Sequence, residues 1–116
     1  MNHAAIVLSL AALGGLTMLA IRLSGSPRPP TWLALGHGAI AVTGIAFLAY
    51  AAVTLGIPPM AQAALGVFVL AALGGVTIFV RWHLKNLPLP IPIVLGHGLL
   101  ALTGLGLLLF AVFSIA

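Results

Sequence analysis

The sequence predicts an all-α fold: an integral membrane four-helix bundle built from two parallel, tandem-repeated helical hairpins. Three observations predict it. Of 116 residues, 63% are hydrophobic and 3% charged, whereas a soluble domain carries about 25% charged residues. Proline- and glycine-rich breaks divide the chain into four apolar stretches, each long enough to cross a hydrocarbon core of about 30 Å. The second half also repeats the first without a gap, so that Gly14 matches Gly74 and His37 matches His97.

The elements follow in order. The first apolar span covers approximately 4–23. It has no Lys or Arg ahead of it, so it lacks the charged leading segment of a secretion signal and is expected to be retained. Ser24-Gly25-Ser26-Pro27-Arg28-Pro29-Pro30 then breaks the chain, because proline lacks the amide hydrogen that a helix interior needs. A second span, 32–55, ends at Gly56-Ile57-Pro58-Pro59. The third, 60–83, runs to a break over 85–92 that holds Pro88, Pro90 and Pro92. The fourth covers 93–115. Residues 1–59 thus form one hairpin and 60–116 a second, within a single domain.

The repeat is specific. Ala11-Ala12-Leu13-Gly14-Gly15 recurs as Ala71-Ala72-Leu73-Gly74-Gly75, and Leu35-Gly36-His37-Gly38 as Leu95-Gly96-His97-Gly98. Thr17, Ala41, Thr43 and Gly44 meet Thr77, Ala101, Thr103 and Gly104. Hydrophobic bias aligns Leu with Leu, but it does not set two Gly-His-Gly triplets in register, so a duplicated hairpin is the expected origin.

Charge supplies orientation and excludes chemistry. Arg22 and Arg28 flank the first connection, Arg81 and Lys85 the third, and no other Lys or Arg exists. The positive-inside rule makes that side cytoplasmic, with both termini outside and the chain multi-pass in a bacterial inner (plasma) membrane. No Asp or Glu is present, which removes carboxylate-based hydrolysis, Mg or Ca sites and an Asp-oriented triad. The sequence pI near 11.7 reflects four unopposed cations rather than a basic patch with interleaved aromatics, so no nucleic-acid partner is expected. The absence of cysteine excludes disulfides and thiolate metal sites.

His37 and His97 are the most informative residues. Each lies about five residues into its span, or roughly 8 Å from the cytoplasmic end. In an up-down-up-down bundle the second and fourth helices are diagonal, so the two imidazoles are expected to face each other. Gly14-Gly15 and Gly74-Gly75 fall near the same level on the first and third helices. Arg22 and Arg81 stand at the cytoplasmic face, placed to pair with two propionates. The combination suits a slot for one six-coordinate haem b, with His37 and His97 ligating its iron; glycine faces that serve tight packing, with neutral histidines bonded to a neighbouring helix and no cofactor, are the alternative. His3 and His83 are expected on opposite sides and in no common metal site. Met18 and Met60 read as filler, and Trp32, Tyr50 and Trp82 as interfacial anchors. Thr17, Thr43, Thr77 and Thr103 are expected to bond carbonyls in their own helices or a neighbouring helix.

In this arrangement the chain resembles the haem-binding four-helix bundle of membrane b-type cytochromes. In those proteins histidines of the second and fourth helices hold haem while glycines of the first and third admit the porphyrin. The resemblance rests on His37, His97, Gly14, Gly15, Gly74 and Gly75. This chain has one such histidine per helix where those cytochromes have two, so the resemblance implies at most one haem. The chain also looks like small uncharacterised bacterial membrane proteins with repeated Gly-His-Gly spans. Two functions stand side by side: a small electron-transfer cytochrome exchanging electrons with a quinone or a redox partner, and a non-catalytic helical subunit or assembly factor of a larger membrane complex. A carboxylate-free transporter, channel or metal handler is a third. An enzyme is not the expected reading.

Overall fold

The computed structural model describes residues 1–114, so the final residues of the fourth predicted span and of the second hairpin, 115 and 116, lie outside the described residues. Four helices form: α1 (Asn2–Leu23), α2 (Thr31–Thr54), α3 (Pro59–Ile78) and α4 (Ile91–Ser114). A π-helical turn over Phe79–His83 continues α3. The described residues contain no strand. With that turn included, all four helices are long and apolar enough to cross a membrane, and the molecule measures 43 × 21 × 19 Å.

The breaks stop the helices as proline and glycine chemistry requires. Gly25 and Gly56 follow the ends of α1 and α2 at φ 112° and 73°, a region that costs residues with a Cβ. Asn86 takes φ 57° after the π turn, and asparagine tolerates that conformation better than most residues. Each of Thr17, Thr43, Thr77 and Thr103 donates its hydroxyl hydrogen to the carbonyl four residues back, at 2.8 Å. These hydroxyls are therefore satisfied without a partner helix.

Each helix packs antiparallel on its sequence neighbour, and α4 closes the ring against α1. The order around the bundle is α1–α2–α3–α4, which leaves α2 and α4 diagonal. The first and third connections meet at one end: Leu89 N donates to Pro27 O at 3.0 Å, and Arg22 Nε to Leu89 O at 2.9 Å. All four cations therefore gather at that end.

The two ends differ in packing. Toward the termini, Leu48 and Leu108 are 0% exposed and stand among Ala4, Ala5, Ala61, Ala64 and Ala111. Alanines bring the backbones close there, and two side chains fill the remaining gaps. Leu8 lies on Gly44, where an added Cβ would come within 2.6 Å of Leu8 Cγ, and the Phe68 ring lies on Gly104, where it would come within 3.2 Å. Gly44 and Gly104 thus serve close helix approach, while Ala41 and Ala101 face a cavity in the other half.

Candidate functional site

The histidine site is built from each hairpin separately. His37 Nδ1 lies 2.8 Å from Ala11 O on α1, and His97 Nδ1 lies 2.8 Å from Ala71 O on α3. A carbonyl only accepts, so each ring carries its proton on Nδ1 and keeps the Nε2 lone pair free. A neutral histidine oriented in this way by a backbone carbonyl is the usual form of a metal-ligating imidazole.

The glycine pairs explain how the ring reaches the carbonyl. The oxygen of residue i points along the helix toward residues i+3 and i+4, and those positions are Gly14 and Gly15 for Ala11, Gly74 and Gly75 for Ala71. A Cβ on Gly15 would lie 3.1 Å from His37 Cε1, and one on Gly75 3.0 Å from His97 Cε1. On Gly14 and Gly74 it would lie 3.7 Å and 3.8 Å from the Nδ1 atoms, an ordinary contact. The expectation that these glycines clear space for a porphyrin changes accordingly: they first seat the imidazole of their own hairpin. Gly15 and Gly75 also border the cavity, whereas Gly14 and Gly74 do not.

The two rings meet across the diagonal nearly at right angles, with centroids 6.2 Å apart and planes at 82°. They open into a cavity of about 620 Å³, within the range of about 300–1,000 Å³ usual for cofactor and ligand pockets. Among its lining residues only Arg22, His37, His83 and His97 carry charged or strongly polar side chains. Neither Nε2 of the pair has a hydrogen-bond partner among the described residues, and no sealed side-chain nitrogen or oxygen there lacks one. Both Nε2 atoms are therefore reachable from the cavity.

Not every residue expected at the site arrives there. Arg22 borders the cavity, but Arg81 is exposed and does not. Helical geometry gives the reason. Arg22 follows Gly15 by seven residues and returns to its face, whereas Arg81 follows Gly75 by six and points about 120° away. His83 takes the inner position instead. It is 6% exposed, stacks on Phe79 with centroids 4.9 Å apart, and lies with Nε2 3.0 Å from Thr31 Oγ1. The repeat pairs it with Leu23, so symmetry conceals it. The π turn carries it inward. Met18, read as filler, also lines the cavity.

Among the described residues no group of three or more His, Cys, Asp or Glu is placed to hold a metal ion. A bare Zn or Cu ion would lack two protein ligands of its usual set. An iron already held by four porphyrin nitrogens needs only two. Two imidazoles thus match the number of ligands that such an iron lacks and fall short of a free ion's set. No protein-family model, curated protein or solved structure matches the chain.

Proposed function

We propose that the chain is a small haem protein of the bacterial inner membrane that passes single electrons. It consists of two parallel tandem copies of a hairpin, 1–59 and 60–116, with both termini outside and the charged connections in the cytoplasm. The observation that carries this reading is the imidazole pair, each ring held through Nδ1 by its own hairpin and both opening into one apolar cavity. His37 and His97 would serve as axial ligands of haem b. Haem with two imidazole ligands supplies a one-electron couple with no open coordination position.

The chain's own residues do the rest. Ala11 O and Ala71 O fix the tautomer and raise the basicity of the two ligands. Gly15 and Gly75 let the rings lie against α1 and α3. The apolar walls exclude water, and Arg22 offers charge at the cytoplasmic end. A quinone or a redox protein is the partner of such a centre.

The test is spectroscopic. Protein purified in mild detergent, from cells supplied with haem, is expected to show a Soret band and sharp α and β bands on reduction. His37→Ala and His97→Ala should each lose them while the protein stays in the membrane. Full haem content in either variant would overturn the ligand assignment. A colourless protein that co-purifies with a larger assembly would support the helical-subunit reading instead.

A further inference from the structure

The cavity is polar at one end only. Apart from the two facing histidines, Arg22 and His83 are its charged or strongly polar side chains. Both lie where the two cytoplasmic connections meet, one at the end of α1 and one at the end of α3. Arg22 is half-buried, and its Nε is engaged by Leu89 O at 2.9 Å. That bond fixes the stem and leaves the two terminal nitrogens without a partner among the described residues. With no Asp or Glu in the sequence, no side chain of this chain can neutralise it. A guanidinium partly withdrawn from water beside apolar walls calls for an anion from elsewhere.

His83 offers a second polar group. The Thr31 hydroxyl lies 3.0 Å from its Nε2, and when that hydroxyl donates, the ring proton sits on Nδ1. Nδ1 has no protein partner among the described residues, yet it is not sealed, since no buried side-chain nitrogen or oxygen there lacks a partner. The same residue borders a second, open pocket of about 530 Å³ with Arg28, Thr31 and Asn86, so water reaches this end.

We infer that Arg22 and His83 form an acid-binding end of the cavity, which takes a flat apolar molecule carrying carboxylates along one edge. With the haem reading, that molecule is the dicarboxylic tetrapyrrole, and His83 takes the place beside Arg22 that the sequence gives to Arg81. The arginine supplies a charge-assisted fork, and the imidazole, in the tautomer protonated on Nδ1, a single N–H donor. His83 is a positioning residue, remote from the iron ligands.

The test compares three probes on the whole chain in detergent: haem, metal-free protoporphyrin, and protoporphyrin with both carboxylates methylated. Binding is read by absorbance and fluorescence, not by activity. Wild-type protein is expected to bind the free acid at least about tenfold more tightly than the diester. His83→Phe, which keeps the stacking on Phe79, and Arg22→Gln should each erase most of that preference, while Arg81→Gln should not. The diester comparison needs no variant, so a misfolded His83→Phe leaves the test intact. Equal affinity for acid and diester would overturn the acid-binding end while a two-imidazole haem spectrum still upheld the haem reading. Acid preference without that spectrum would do the reverse. Failure of all three probes to bind would overturn both.

Discussion

A histidine that donates Nδ1–H to a helix carbonyl is set in tautomer and ring position, and here that setting depends on one hydrogen atom in place of a methyl group. A Cβ at Gly15 or Gly75 meets Cε1 at 3.1 Å and 3.0 Å, while at Gly14 or Gly74 it meets Nδ1 at ordinary contact distance. Gly15→Ala and Gly75→Ala are therefore expected to displace the ring and weaken haem binding about tenfold or more. Gly14→Ala and Gly74→Ala should leave it nearly unchanged, and a spectral titration of the four variants separates the two classes. Equal losses at all four positions would contradict the seating of the ring. The sequence announced both glycines of each pair, because they recur together with the histidines. It did not reveal which of the two touches the ring, since that depends on a contact of a few tenths of an ångström. Nor did it reveal His83, because its partner Thr31 is 52 residues away along the chain and the repeat offers no second copy.

Helix existence and order were legible throughout, because four apolar spans and three proline-rich breaks admit little else. The four spans begin, and the first three end, within about two residues of expectation once the π turn is counted with α3, the usual precision of helix ends. What remained hidden was the last turn of α3. A π turn widens the helix by one residue over Phe79–His83, and composition carries no mark of it. That turn, with the six-residue step from Gly75, decides that His83 and not Arg81 enters the cavity. Packing between elements was partly legible: Gly44 and Gly104 recur at matched positions of the repeat, but what they clear room for needed coordinates. They clear room for Leu8 and Phe68. Gly44→Ala would bring a Cβ within 3.3 Å of Leu8 N as well as onto its side chain, so α1 and α2 must part. The expected cost is about 1–3 kcal/mol, read as an earlier midpoint on denaturation in detergent. Gly104→Ala should cost less, because a phenyl ring can tilt. A larger loss at Gly104 than at Gly44 would refute this account.

The whole molecule is tight toward its termini and hollow toward its cations. Arg22, Arg28, Arg81 and Lys85 gather at the hollow end, the end that the proposed orientation turns to the cytoplasm. A single cysteine placed next to Met1 is then expected to react with a membrane-impermeant thiol reagent from outside intact cells, and one placed at Asn86 only after lysis. The opposite pattern would reverse the proposed orientation. Both imidazoles are fixed by their own hairpins, and this has a kinetic consequence. A ligand entering the cavity waits for no side chain to reorient, because tautomer and ring position are set beforehand. The slow event in its uptake or escape would then be the parting of the two hairpins at the hollow end. The bonds from Leu89 to Pro27 and from Arg22 to Leu89 are the latch across that opening. Loosening the Leu89–Pro27 bond should quicken arrival and departure together, changing the residence time of a ligand far more than its affinity.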